Sequence, residues 1–418
     1  MLLRFCLYGF LKNQQYYDPF LILAFRQKGL SFGLIGALIG FRAICINLLE
    51  VPTGAVADVM GRRRSMIVSF LAYIGSFVIL GLCQPLWTLF AAMSLFSIGE
   101  TFRTGTHKAM IFDWLERQGR LSEKIAVYGR TRSWSKLGSA VSVVIATGLV
   151  FGTQQYSSVF LYCIIPYLLN VANLLGYPSY LDGPRGADPK RHGVLRTLLA
   201  AVSQSLRRRP LRRLLVESMG YDGVYASCKD YVQPLIKASC VSLPLMLALG
   251  ERFALSPSQR VAIGVGLVYF TLHLLGSAAS RSSGRFADRF GGEERSARWL
   301  WLMNLLVFAV MAVGICRGLW PVAIVAFVLL AVLQNFWRPI LIGRVASHAD
   351  SAQTATVLSI ESQAKSLFVA IVAPLLGWSV DWVASYRPEL RFLPIAALGM
   401  FLSASILLAG RPASAVDR

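Results

Sequence analysis

The sequence predicts an all-α membrane protein with twelve transmembrane helices in two parallel, related halves of six. Three features predict it: an apolar composition, basic residues confined to alternate loops, and a motif repeated half a chain apart. Of 418 residues, 55% are hydrophobic and 15% charged, and the mean hydropathy is +0.56. A soluble chain needs more charge than this to cover its surface. A helix crosses a bilayer with roughly 20 mainly apolar residues. Such stretches lie near 3–25, 33–57, 66–84, 87–112, 127–151 and 158–178, and again near 214–238, 261–283, 298–316, 319–345, 356–382 and 392–410. The first and seventh are the least regular, because Lys12, Asn13 and Asp18 interrupt one, and Asp222, Lys229 and Asp230 the other. The chain enters its first span without a small-residue cleavage site, so no cleaved signal peptide is expected.

The net charge of +21 is placed by topology. Arg62, Arg63 and Arg64 follow span two; Arg117, Arg120 and Lys124 follow span four; Arg185 to Arg213 follow span six; Arg285 to Arg298 follow span eight. The opposite loops, near Gln84 and Gln154, are short and almost free of Lys and Arg. This positive-inside bias puts both termini and the long central loop in the cytoplasm. Arg207 to Arg213 also suit an anionic-lipid contact. A nucleic-acid role is not expected, since the basic loops lack interleaved aromatic residues for base stacking. The seven cysteines form no CxxC or ligand-spaced pair and read as packing residues, with no metal or cofactor implied.

An internal repeat divides the chain. Gly54-Ala-Val-Ala-Asp58-Val-Met-Gly61-Arg62 after span two aligns without a gap on Gly284-Arg-Phe-Ala-Asp288-Arg289-Phe-Gly291 after span eight. Gln14 to Pro19 in span one pairs with Lys229 to Pro234 in span seven, and Glu100 to Arg103 with Asn335 to Arg338. Three matches in one order predict a duplication, with residues 1–181 as the first half, 182–213 as a linker and 214–418 as the second. Residues 241–255 read as an inserted short helix lying along the membrane interface.

The motif at Gly54 to Arg64 resembles the cytoplasmic signature between helices two and three of the major facilitator superfamily. Residues 284–292 sit where that family carries a degenerate copy. Glu50-Val-Pro52-Thr-Gly54 is similar to an E-x-P-T-G pattern in a bacterial subgroup of these transporters. The resemblance covers essentially the whole chain. It implies a multi-pass protein of the bacterial inner membrane, working as a monomer. It also implies a cytoplasmic gate of Gly54, Asp58, Gly61, Arg62, Asp288 and Arg289 that latches the halves in the outward-open state. The glycines allow close helix contact and a tight turn. Asp58 suits a facing helix N-terminus, where the dipole favours an anion. The resemblance places Arg103 in the helix-four region implicated in proton coupling, although Thr101 to Gly105 does not reproduce the usual RxxxG motif. Span five has no proline, a departure from the family's antiporters that weakens a drug-efflux reading.

Ionisable residues at membrane depth cost roughly 2.5–3.5 kcal/mol each on insertion scales and mark candidate sites. Glu100, Arg103 and His107 share a helical face in span four; Arg132 and Lys136 lie in span five; Arg338 lies in span ten. Asp222, Tyr225, Lys229 and Gln233 make one stripe of span seven, ahead of a break expected at Pro234. With Lys12, Asn13 and Asp18 they predict a polar cavity at the repeat interface that binds substrate or protons. The competing reading is permanent ion pairing, expected for Glu361 with Lys365 at i, i+4. His273 reads as a packing residue. Basic groups exceed acids in the inner set, which leans toward an anionic or zwitterionic small molecule.

No G-x-x-x-x-G-K-[ST] loop occurs, so transport would run on an ion or solute gradient, with protons the favoured partner. A membrane-embedded enzyme is the weakest alternative, since no HExxH or GxSxG motif is present. A non-transporting sensor or scaffold on the same fold is the other.

Overall fold

A computed structural model describes residues 1–104, 106–182, 208–348 and 354–409, and among these every regular element is a helix. Eight helical stretches are long and apolar enough to cross a membrane, and the bent pair Arg209–Ser242 with Pro244–Arg252 makes a ninth. The helices are α1 Leu2–Lys12, α2 Leu21–Gln27, α3 Phe32–Met60, α4 Arg62–Leu82, α5 Leu86–Arg103, α6 Thr106–Arg117, α7 Lys124–Thr153, α8 Ser158–Tyr162 and α9 Ile164–Leu175. They continue with α10 Arg209–Ser218, α11 Val224–Cys228, α12 Val232–Ser242, α13 Pro244–Arg252, α14 Pro257–Arg289, α15 Glu293–Cys316, α16 Trp320–His348, α17 Thr354–Tyr386 and α18 Leu393–Ala409. Most of the linker, including Arg185, Lys190, Arg191, Arg196 and Arg207, lies outside the described residues.

Spans one, four and seven break where they carry polar residues, and the apolar span six is also interrupted, at Cys163. Span one stops at Lys12 and resumes through a 3-10 turn, Asp18–Phe20, with Pro19 inside it. Span four stops at Arg103, and Thr104 is extended (φ −61°, ψ 125°), so the single helix expected over 87–112 is two. Span seven passes through a π-turn at Met219–Gly223 and a 3-10 turn at Lys229–Tyr231. That change of helical phase corrects the expected stripe, because i, i+3, i+7, i+11 spacing defines one face only on a continuous α-helix. Pro234 is not the cause of the break. It sits in the first turn of α12, where a missing N–H costs nothing. Residues 244–252 do form a short helix, bent by 68° from the preceding segment, with Leu245 and Leu247 exposed on it.

The chain packs into two units. The first comprises Met1–Leu30, Leu38–Lys190 and Cys240–Phe270; the second comprises Ser31–Ala37, Arg191–Ser239 and Thr271–Arg418. In the first, α1 lies against α7 at Gly138, where any Cβ would strike the Phe10 backbone, and the buried Gln14 amide donates to the Gly138 carbonyl at 3.1 Å. Helices α4 and α5 are joined by Ser76 donating to the Ala92 carbonyl (2.8 Å) and by Tyr73 packed edge-on to Phe96. Lipid supplies no hydrophobic drive between helices, so close approach and such hydrogen bonds hold them together. In the second unit, Tyr221 stacks on Trp337 (centroids 4.3 Å apart) and meets Trp301 edge-on, closing a core with Leu300 and Leu341. At the start of α3, Asp381 accepts the Phe32 and Gly33 amides at 3.1 and 2.7 Å, a carboxylate cap on a helix N-terminus.

The close approach of α1 and α7 sets a measurable limit. Gly138→Ala is expected to destabilise the protein by about 1–3 kcal/mol, the usual cost of overpacking. Gly148→Ala, on the same helix with open space beside it, is expected to stay within about 0.5 kcal/mol. Equal unfolding midpoints for the two variants in detergent would contradict this packing.

Candidate functional site

A cavity of about 440 Å³ lies within the first unit, between α1, the α5–α6 break and α7. Its wall carries Lys12, Arg103, Lys108, Arg132 and Lys136, together with Asn13, His107, Tyr8, Tyr128, Thr131, Ser135 and Ser139, and no Asp or Glu among the described residues. Lys12 and Asn13 reach it because α1 ends there; the Asn13 amide turns back to the Gly9 carbonyl at 2.7 Å. Arg132, Ser135, Lys136 and Ser139 are spaced three or four apart and so form one face of α7. Lys108 also lies over the Phe112 and Tyr128 rings, 5.5 and 5.6 Å from their centroids. Among the described residues, Lys12, Lys108, Arg132 and Lys136 enter no ion pair with a carboxylate.

The fifth cation is held differently. Arg103 forms an ion pair with Glu100, and Glu100 also accepts the Tyr73 hydroxyl proton. His107, expected beside them, stacks on Tyr8 (3.7 Å, 18°) and lies 3.4 Å from the Tyr177 hydroxyl. Asp18 opens the 3-10 turn and is absent from the cavity wall.

A second cluster forms within the other unit. Arg338 on α16 bridges the buried carboxylates of Asp222 (3.0 Å) and Glu361 (2.8 Å); Gln334 donates to Asp222, and Ser218 donates to Glu361. The pairing expected between Glu361 and Lys365 is therefore replaced by Glu361 with Arg338, since the π-turn brings Ser218 and Asp222 to α16 and α17. Lys229 pairs with its neighbour Asp230 at 2.8 Å, Tyr225 is half-buried, and Gln233 is fully buried. One turn and a half beyond Arg338, the buried Arg344 binds Glu217 at 2.6 Å and Glu294 at 2.8 Å. Sequence reasoning did not single out Arg344, Glu294, Gln334 or Lys108. An arginine repeated six residues on in an apolar helix was the signal for Arg344.

The profile of the Major Facilitator Superfamily matches residues 5–367. The chain belongs to this superfamily. No curated protein matches its sequence at a significant level. Solved structures similar to it include the nucleoside transporter NupG (TM-score 0.74, 12% identity, covering 97% of this chain and 98% of that one). Others are a POT family transporter bound to a thioalcohol-conjugated peptide (0.70, 15%, 97% and 95%) and a D-xylose-proton symporter (0.62, 13%, 97% and 96%). At such identities the likeness is one of fold.

The superfamily signature is mostly helix. Residues 54–60 end α3, Gly61 alone makes the turn, and α4 begins at Arg62. Gly61 has φ 97°, and a Cβ there would meet Asp182 at 3.0 Å, so both backbone and space require glycine. Gly54 differs: a Cβ built on it meets nothing within 4 Å, which corrects the expectation of close helix contact there among the described residues. Arg62 pairs with Asp113, and Asp182 accepts the Arg63 amide at 3.1 Å, performing the helix-end role expected of Asp58. The Asp58 side chain lies outside the described residues. Asp288 and Arg289 are exposed and make no ion pair among the described residues.

Removing Arg338 strands two buried carboxylates, and breaking such a pair costs about 3–5 kcal/mol. Arg338→Met should sit near about 3 kcal/mol, the low end, because Arg338 is itself 36% exposed. Chemical unfolding reads this directly, and restored stability is expected in the triple variant that also carries Asp222→Asn and Glu361→Gln.

Proposed function

We propose that the chain is a secondary transporter that moves a small anionic solute by alternating access of residues 1–181 and 214–418 about the 182–213 linker, coupled to protons. The cation-rich cavity wall carries this reading: Lys12, Lys108, Arg132 and Lys136, beside the paired Arg103 and with no carboxylate on the wall among the described residues, favour a cargo bearing two or more negative charges. A zwitterion is less well served, because Glu100, the carboxylate beside the wall, already holds Arg103. The superfamily fold and the likeness to a D-xylose-proton symporter support gradient-driven transport. Proton exchange is placed by this reading at Glu100, which pairs with Arg103, and at Asp222 and Glu361, which share Arg338. The basic loops support an inner-membrane topology with both termini cytoplasmic. The E-x-P-T-G pattern supports the bacterial subgroup, and Gly54, Asp58, Gly61, Arg62, Asp288 and Arg289 remain the proposed gate, in a protein acting as a monomer.

Flux in proteoliposomes tests the reading. A panel of phosphorylated and polycarboxylate solutes is expected to contain a transported anion, with faster flux under an imposed pH gradient. Arg132→Gln and Lys136→Gln should each raise KM about tenfold for that anion, the worth of one charge-assisted contact. Unchanged KM in both folded variants would move the binding site elsewhere. Absence of flux for every anion, with normal melting, would favour the sensor or scaffold.

A further inference from the structure

Two hollows adjoin in the second unit, at the end of α15 that follows the Gly291–Gly292 turn. One, of about 120 Å³, is lined by Arg213, Glu217, Arg298 and Trp301, with Ile406 and Leu407 from α18. The other, of about 400 Å³, is mainly apolar and lined by Arg295, Arg298, Trp299, Leu302 and Leu407. Arg298 and Leu407 belong to both, so a polar chamber opens beside an apolar one. We propose that this pair of hollows binds one anionic phospholipid, its phosphate in the polar chamber and the start of an acyl chain in the apolar one.

Charge supports the polar half. Glu217 pairs with Arg213 and Arg344 and Glu294 with Arg344, and with Arg295 and Arg298 the four arginines at this end outnumber Glu217, Glu293 and Glu294. Trp301 is 2% exposed, and its indole N–H has no hydrogen-bond partner among the described residues, a donor that a buried site seldom leaves unused. Shape and hydropathy support the other half. Trp299 is 46% exposed and Leu302 36%, an indole and an aliphatic side chain placed where an aromatic belt meets acyl chains. A free phosphate would suit the positive end but leave the apolar hollow unexplained; a zwitterionic lipid would bring its ammonium group against the arginines. On the orientation proposed above, this end faces the cytoplasmic leaflet, the leaflet whose anionic lipids attract juxtamembrane arginines.

The protein purified in detergent is titrated with phosphatidylglycerol, phosphatidylcholine and inorganic phosphate, reading bound lipid by native mass spectrometry and melting temperature in parallel. Phosphatidylglycerol is expected to remain bound and raise the melting temperature; the other two are not. Arg298→Gln should weaken phosphatidylglycerol binding about fivefold, and Leu302→Asp should weaken it without altering phosphate behaviour. Arg120→Gln removes the same charge from an exposed pair in the first unit and is expected to change nothing. Equal losses in Arg298→Gln and Arg120→Gln would mean unspecific surface attraction and overturn the site. Inorganic phosphate stabilising as well as phosphatidylglycerol would overturn the lipid as its occupant.

Discussion

An ionised side chain in hydrocarbon must find a counter-charge, a hydrogen bond or water, and that constraint shapes both units of this protein. Arg338 sits between Asp222 and Glu361, Arg344 between Glu217 and Glu294, and Glu100 between Arg103 and Tyr73. Each cluster draws partners from different helices or from the two sides of a break. Two helical irregularities coincide with these clusters: the π-turn at Met219–Gly223 contains Asp222, and α5 ends at Arg103 itself.

Against that rule the cavity in the first unit is an exception with a chemical meaning. Lys12, Lys108, Arg132 and Lys136 face a common space without carboxylates among the described residues. Concentrating like charge is unfavourable unless water or an anion neutralises it, which is why the proposed site is placed at this wall. The second unit instead keeps its central cations matched. One cluster is therefore suited to binding, the other to a charge relay or a permanent brace.

Much of this was legible in the sequence. Hydropathy located most of the long apolar helices, because it depends on local composition alone, but not the breaks at Lys12, Arg103 and Met219–Gly223. Lys12, Asn13 and Arg103, expected together from the sequence, do line one cavity, since a polar residue within an apolar span is conspicuous at any position. Partner choice was less legible. Glu361 and Lys365 have the spacing of a helical ion pair, yet Arg338 takes the carboxylate across helices. Asp182 and Asp381, which cap helix ends, lie near span termini where an aspartate attracts no notice.

Sequence by itself determined the helical membrane class and the excess of inner basic charge, and it carries the motif match at Asp58 and Asp288 from which a duplication is expected. These follow from composition and periodicity, which survive any arrangement of the helices. Tertiary structure decided which charges neutralise one another and which are left facing a cavity. It also decided that Gly61 is required by its backbone while Gly54 has open space beside it. Such outcomes depend on distances between residues far apart in the chain, which periodicity within one helix does not encode.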